Sequence, residues 1–469
     1  MIARLGRALS AAFARTAPDP FVLAVLLTLL TGALAWKWGS FAPAAGTPAG
    51  AGQLTHIIDA WRGPGGLWRF LAFGMQMCLI LVTGHALAES RPVRLLIGNA
   101  ARVPRGPATA AALVGLVAMG FGLINWGLGL IVGALLARDV ARALESRGVR
   151  VHAPLLAAAG YTGMLVWHGG FSGSAPLTMV NATEAARVLP ADTGRLLAET
   201  LGEGWTMDLS QTLLSPMNLF VTGGLLVLVP LLLALLTPRG DEPVSAMPAE
   251  EELFEDPPLP IRSVPEWLER TPLVPVLLSG LIFWAMVRFH QEGSLLGMGL
   301  NEVNMSMLAL GLLAHGSIRS YVGAAERGAR GCAGVILQFP LYAGIMGMLA
   351  ASGLIGLFSG ALASNANETS LPLMTFLSAG VVNLFVPSGG GQWAIQGPIA
   401  LEAGLALGVP PQKMVMAVAY GDQLTNMLQP FWALPLLAIT GLKARDIVGY
   451  TAIVMLAAGA WMALGLLIF

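Results

Sequence analysis

Apolar runs of about 20 residues, the length at which a helix crosses a bilayer, recur along this chain. Nine stand out, at residues 21–38, 67–87, 153–180, 212–236, 272–289, 303–318, 332–358, 416–440 and 447–469. Two more stretches, 108–144 and 371–407, are apolar but interrupted near the middle by Asn125-Trp126-Gly127 and by Pro387-Ser388-Gly389-Gly390-Gly391. Gly and Pro are the main local breakers, so each stretch reads as two helical arms around a turn. The pattern predicts an all-α integral membrane protein with about nine spanning helices, two re-entrant hairpins and broken helices.

Composition agrees. Charged residues make up 11% of the 469 and mean hydropathy is +0.71, where a soluble chain carries roughly 25% charge. Net charge is zero and no basic stripe stands out, which argues against a nucleic-acid partner. Cys78 and Cys332 lie in separate apolar runs, which excludes a disulfide scaffold or a clustered-thiol metal site. Neither cofactor nor metal is expected. Arg supplies 23 of the 26 basic residues, a bias that suggests a GC-rich bacterial genome and hence an inner membrane.

Loop charge orients the chain. With Arg4, Arg7 and Arg15 in the cytoplasm, alternate loops place 19 of the 26 Lys and Arg residues on that side, as the positive-inside rule requires. Residues 1–20 set those arginines beside Leu5, Leu9 and Phe13, which suits an amphipathic helix on the cytoplasmic surface. Residues 237–271, rich in Pro and acids, read as a cytoplasmic linker without a core.

That linker separates two corresponding halves, 21–236 and 303–469, with residues 272–302 forming a connecting span and loop. Tyr161, Leu165, Pro176 and Leu177 match Tyr420, Leu424, Pro435 and Leu436 at one offset of 259 residues. The hairpin asparagines Asn125 and Asn383 are 258 apart. Five crossings separate the first span from its counterpart, so the halves enter the membrane from opposite sides. An inverted repeat with broken helices at matching positions is the pattern of a secondary transporter that holds its cargo near the midplane.

Four breaks put polar residues at membrane depth: Asn125-Trp126-Gly127, the stretch from Trp167 and His168 through Ser172 to Ser174, the stretch from Asn383 through Gln392 to Gln396, and Gly421-Asp422-Gln423-Leu424-Thr425-Asn426. Unwound backbone is tolerated there only where protein or a water-filled cavity satisfies it. None of the four contains Lys or Arg. An anion would therefore be met by amide dipoles, hydroxyls and His168, which favours one carboxylate over two or three. The substrate-binding candidates are Asn125, Trp126, Gly127, His168, Ser172, Ser174, Asn383, Pro387, Ser388, Gly389, Gly390, Gly391, Gln392, Gln396, Thr425 and Asn426. Candidates for the coupling ion, Na⁺ or H⁺, are Asp422, Gln423, Asn125 and Asn383, because a carboxylate in mid-membrane is costly and by default functional.

Plainer uses exist for several of these residues. Asn125 and Asn383 could only cap helices, Ser172 and Ser174 could bond back to their own helix, and the glycines could serve helix packing. Glu402 and Asp139 fall near hairpin ends, where solvation explains them. His85 and Glu89 could pair at i,i+4.

The strings Asn383-Leu-Phe-Val-Pro-Ser-Gly-Gly-Gly-Gln-Trp-Ala-Ile-Gln-Gly-Pro398, Gly421-Asp-Gln-Leu-Thr-Asn-Met-Leu-Gln-Pro430 and Asn125-Trp-Gly-Leu-Gly-Leu-Ile-Val-Gly-Ala-Leu-Leu-Ala-Arg138 resemble the short-chain fatty acid transporter family. That family belongs to the ion transporter superfamily, with its dicarboxylate, arsenite and aminobenzoyl-glutamate carriers. The resemblance extends over nearly the whole chain. It implies uptake of acids such as acetoacetate or butyrate by a homodimer with a scaffold and a mobile domain carrying the two hairpins. The serine-asparagine-threonine hairpin signature of the dicarboxylate carriers is absent, so Na⁺ sites do not carry over. An exporter, an antiporter or a carrier of another small organic anion would fit the same fold. A more distant alternative is an intramembrane protease, since Gly170-Phe171-Ser172-Gly173 matches a Gly-x-Ser-Gly nucleophile motif with His315 as a conceivable base.

Overall fold

The computed structural model describes residues 8, 12, 15, 18–41, 50–180, 182–238, 240, 243–248, 261, 263–292, 300–364 and 366–469, without the side chains of 187, 290–292, 362 and 363. Among the described residues the chain is helical, with no strand. The expected surface helix at 1–20 and the acidic part of the 237–271 linker fall largely outside them.

In the first half, α1 (Pro20–Trp38) starts at Asp19, whose carboxylate accepts from the Phe21 amide. A short α2 (Gln53–Arg62) precedes α3 (Leu71–Glu89), and α4 (Arg91–Arg102) follows at once. Next come α5 (Pro107–Ile124) and α6 (Trp126–Glu145), which fold back on each other about Asn125. The 153–180 stretch divides into α7 (Ala153–Tyr161), two 3₁₀ turns (Thr162–Leu165 and Trp167–Gly169) and α8 (Ser174–Val180). Two short helices, α9 (Ala182–Val188) and α10 (Ala191–Leu201), lead to α11 (Pro216–Leu236).

The second half runs through α12 (Val264–Arg270), α13 (Leu273–Glu292), α14 (Leu300–His315), α15 (Ile318–Ala329) and α16 (Ala333–Ala351). The expected span at 332–358 stops early. Gly353, at φ +67°, turns the chain into a separate α17 (Leu354–Ala363). Then α18 (Leu371–Phe385) and α19 (Gly389–Ala406) form the second hairpin. A second broken span consists of α20 (Pro411–Thr425), the turn Asn426–Leu428 and α21 (Pro430–Thr440), followed by α22 (Ala444–Ile468).

Among the described residues, six helical segments are long and apolar enough to cross a membrane: Pro20–Trp38, Leu71–Glu89, Pro107–Ile124, Pro216–Leu236, Ile318–Ala351 and Ala444–Ile468. A seventh is added if Val264–Arg270 and Leu273–Phe289, bent by 52°, count as one span. The remaining expected crossings are the two broken spans and α14, whose 16 residues span about 24 Å. Several helices with outward apolar faces make this a multi-pass membrane protein. Leu26, Leu29, Leu219, Val227, Leu231, Leu277, Leu281, Trp284 and Leu456 are all exposed, as lipid would allow but water would not.

Small residues let the first hairpin pack tightly against the first broken span, the usual device where lipid supplies no hydrophobic drive between helices. A Cβ on Gly133 of α6 would lie 2.1 Å from the Gly160 carbonyl oxygen of α7, and one on Gly160 would lie 2.4 Å from the Gly133 oxygen. In the second half a Cβ on Gly421 of α20 would come within 2.2 Å of the Phe376 oxygen of α18. Gly421 thus packs two helices and does not mark unwound chain.

Gly133→Ala is expected to destabilise the α6–α7 contact by about 1–3 kcal/mol, the usual result of overpacking a tight site. Gly120→Ala, with nothing within 4 Å of its added carbon, should leave stability unchanged or slightly raised. Thermal melting of the two detergent-purified variants checks the contrast.

Candidate functional site

Unwinding at the first broken span frees backbone groups that find partners elsewhere in the chain. The His168 and Gly169 amides donate to Oε1 of Gln423, on α20, at 3.0 and 3.2 Å. The Gly169 carbonyl accepts from Nδ2 of Asn218, on α11, at 2.9 Å. Asn218 Oδ1 in turn accepts from Thr222 and, at 3.0 Å, from the Tyr420 hydroxyl.

The second break is served in return. The Tyr161 hydroxyl, at the end of α7, reaches the Asn426 and Gln429 carbonyls at 2.8 and 3.0 Å. Asn383 Nδ2 donates to Asn426 Oδ1 and Thr425 Oγ1 at 2.9 and 3.0 Å. Gln429 Nε2 donates to the Asn383 and Leu384 carbonyls. Each broken span therefore holds the other's loose backbone.

The hairpin turns meet these breaks. Asn125 caps α6, its Oδ1 accepting from the Gly127 and Leu128 amides, and the Trp126 amide donates to Ser172 Oγ at 3.0 Å. The Trp126 ring lies edge-on to Trp432 of α21 at 5.0 Å and to Trp167 at 6.5 Å. Across the site, Ser388 caps α19 by accepting from the Gly391 amide. A Cβ on Gly389 would be 2.6 Å from Cη2 of Trp167, 3.1 Å from Cε1 of His168 and 3.3 Å from Oγ of Ser174. Only glycine permits this approach.

At the centre, His168 and Asp422 are each 1% exposed, and Nδ1 of the one lies 3.2 Å from Oδ1 of the other. The Ala175 amide donates to His168 Nε2 at 3.0 Å. Nε2 thus holds a lone pair, Nδ1 carries the proton, and Nδ1–H points at the carboxylate. Trp167 stacks on the imidazole at 4.3 Å. Among the described residues, Asp422 Oδ2, Gln423 Nε2, Asn383 Oδ1, Gln392 Oε1 and Trp167 Nε1 are buried polar atoms without a protein partner. Such orphans are uncommon in native structures and point to an ion, a water or a ligand. The set combines two N–H donors with two amide oxygens and one carboxylate oxygen, so it can meet both an anion and a proton or small cation.

The structure narrows several breaks. Asp422, Gln423 and Leu424 are helical, and unwinding begins at Asn426. The first broken span loosens from Thr162 onward, earlier than Trp167. Asn383 lies inside α18, whose last residue is Phe385, and Ser388 supplies the cap expected of it. His168, Ser174, Gly389, Asp422 and Gln423 come together, with Ser388, Gly390 and Gly391 adjoining and Pro387 buried just before them. Thr425, Asn426 and Asn383 form a second group, and Asn125, Trp126, Gly127 and Ser172 a third around the first turn. Gln396 instead bonds Ser378 and Gln392 between the two arms of the second hairpin. Gln392 also donates to the Ala379 carbonyl there.

Other expectations resolve locally. His85 Nε2 and Glu89 lie 2.7 Å apart, and Arg327 joins Glu89 from α15. Glu402 accepts from Thr193, and Asp139 from Arg138. His315 is held by the Ala86 carbonyl and Ser320, whereas Ser172 is bonded to the Trp126 amide, so the two do not form a nucleophile–base pair. Cys332 Sγ reaches the Cys78 carbonyl at 3.7 Å, a proximity that sequence spacing gave no reason to expect. Asn218 was also missed. Its signal was a lone amide near the start of a long apolar run.

A profile of the short chain fatty acid transporter family matches residues 1–469. A protein of Escherichia coli (strain K12) is 40% identical over 475 residues, covering all of both chains. One of Haemophilus influenzae (strain ATCC 51907 / DSM 11121 / KW20 / Rd) is 36% identical over 454 residues and 96% of each chain. Both carry the provisional name short-chain fatty acid transporter. Among solved structures, the Alcanivorax borkumensis YdaH transporter aligns over 96% of this chain and 98% of its own at 17% identity and TM-score 0.41. Neisseria gonorrhoeae MtrF, described as one of a class of antimetabolite efflux pumps, aligns over 96% and 95% at 16% identity and TM-score 0.39.

Gly389→Ala is expected to push the turn off Trp167 and lower stability by about 1–3 kcal/mol. Gly390→Ala, whose added carbon would only touch Ser174 at 3.9 Å, should be silent. Melting temperatures of the pair, measured at equal expression, separate them.

Proposed function

Because the chain belongs, over its whole length, to the short-chain fatty acid transporter family, we propose that it moves small monocarboxylates such as acetoacetate or butyrate across a bacterial inner membrane by alternating access. The observation that carries this reading is the group of unpartnered buried atoms, Asp422 Oδ2, Gln423 Nε2 and Trp167 Nε1, where the two broken spans meet the glycine turn.

In this reading the carboxylate lies against the start of α19, between Ser388–Gly391 and the Trp167–Ser174 loop. The helix α19 begins there at Gly389, and a helix start favours an anion. Trp167 Nε1 and Gln423 Nε2 supply further donors. The alkyl group packs among aromatic rings. No Lys or Arg enters the set, so binding rests on dipoles, which suits a single carboxylate.

Asp422 serves the coupling ion. Its Oδ2 is free to take a proton or to face Na⁺, while His168 holds Oδ1. Two oppositely threaded halves, 21–236 and 303–469, bring the breaks together and allow the site to face either side in turn. The N-terminus is cytoplasmic and the working unit a homodimer.

The test is uptake of labelled acetoacetate and butyrate into proteoliposomes under separately imposed Na⁺ and H⁺ gradients. Uptake driven by either gradient supports the reading, and none under both removes it. Ser388→Ala, which removes the α19 cap beside the carboxylate, and Asn426→Ala, which unties the second break from Asn383, are each expected to cut the rate about tenfold, the effect of about 1.4 kcal/mol. Unchanged rates in both would take them out of the site. Asp422→Asn should abolish dependence on the coupling gradient while exchange of labelled for unlabelled acid persists; wild-type ion dependence in this variant would exclude the coupling role.

A further inference from the structure

We propose a second, shallower site for the same cargo, a vestibule on the cytoplasmic side that holds monocarboxylates beneath the second broken span and uses Arg445 to select anions. A cavity of about 300 Å³ lies between the start of α1, the start of α22 and the Asn426–Pro430 turn, at the small end of the range for ligand pockets. Its deep wall is formed by Tyr161 and Gln429, the same groups that hold the second break, and its sides by apolar residues such as Met427, Pro430 and Val448. Arg445 lines this cavity and also a neighbouring one of about 330 Å³, which contains Lys443 and Gln338. Asp19 lines this second cavity too; its Oδ1 accepts from the Phe21 amide, and with Lys443 and Arg445 opposite its single negative charge the lining stays net positive.

The gradation is chemical. The cavity with Lys443 has mixed polar walls, with two cations and Asp19, whereas the one ending at Tyr161 and Gln429 is mostly apolar. A short acid fits this order, with its carboxylate held at Arg445 and its alkyl chain directed inward. Arg445 is exposed and, among the described residues, has no ion-pair partner. It is thus free to meet an anion at the cytoplasmic face, in contrast to the breaks, which contain no Lys or Arg. A guanidinium would raise the local concentration of carboxylates without holding them too tightly to pass on. The vestibule rests on the monocarboxylate reading above for its cargo, but not on which ion is coupled.

The test uses the full chain in proteoliposomes with Val448→Cys as reporter, the native Cys78 and Cys332 being buried. An anionic sulfonate methanethiosulfonate should label Val448→Cys several-fold faster than a cationic one, and butyrate should slow that labelling. Arg445→Gln should erase the preference and raise KM for butyrate about threefold at unchanged maximal rate, as expected of a partly screened charge; Arg445→Lys should keep both near wild type. Equal labelling rates and no protection, in a chain that still takes up butyrate, would overturn the vestibule and leave the transport reading intact. Protection by butyrate in a chain that transports no monocarboxylate would do the reverse. Stronger protection by decanoate than by butyrate would overturn the proposal too, by assigning the cavity to fatty acids from the bilayer.

Discussion

Backbone that leaves a helix inside hydrocarbon has no water to bond to, and each orphaned group costs several kcal/mol, on the order of the net stability of many whole domains. The architecture of this protein follows from how it meets that cost. The first break is held by Gln423 and Asn218 and the second by Tyr161, while Asn383 and Gln429 tie the second break to the end of α18. Neither broken span supplies all its own partners. Straightening one would strand groups on the other, so the two breaks stand or fall as a unit. Among the described residues, three of the polar atoms left without a partner, Asp422 Oδ2, Gln423 Nε2 and Trp167 Nε1, lie where the second hairpin turn arrives.

The two hairpin turns play unequal parts in that unit. Asn125 closes the first in a single residue, with Ser172 on the adjoining Trp126 amide and aromatic rings on either side. The second spans residues 386–388, and its serine cap leads directly into three glycines. One turn is sealed by side chains; the other presents backbone. Bare backbone can be rigid and still contact a small ligand closely, whereas side chains would fill the space.

Much of this was legible in the sequence. Hydropathy located the helices, and Gly, Pro and Asn at the centres of two apolar stretches located both turns to within a few residues. Residue type also singled out Asp422 and His168. The extents of the breaks were not legible, because Gly421 before Asp422 looks like a helix breaker but is a contact point with α18, visible only once two helices are packed. Asn383 was misplaced for a similar reason: an asparagine near a turn suggests a cap, yet here its amide reaches across to Asn426 while Ser388 does the capping. Asn218 and the Tyr161 and Tyr420 hydroxyls were invisible as site residues. Their roles depend on bonds between positions 49 to 265 apart in sequence, which no local pattern encodes. The pairing of Tyr161 with Tyr420 by offset alone was nevertheless informative, since both hydroxyls brace a break.

The electrostatics of the proposed site follow from the same economy of polar groups. A substrate carboxylate and an ionised Asp422 separated by roughly 6 Å would repel by about 3 kcal/mol at an effective dielectric near 20, and more where water is excluded. No lysine or arginine lies in the breaks to offset this, and His168, with its lone pair engaged by the Ala175 amide, does not supply a positive charge. Occupancy by the anion would therefore require a proton or a small cation at Asp422 Oδ2. The converse also holds: once the cargo leaves, the charge that accompanied it is no longer held by a partner of opposite sign. In the proposed cycle, coupling needs no dedicated gate. It follows from having one buried carboxylate with one free oxygen beside a site that binds anions through dipoles alone.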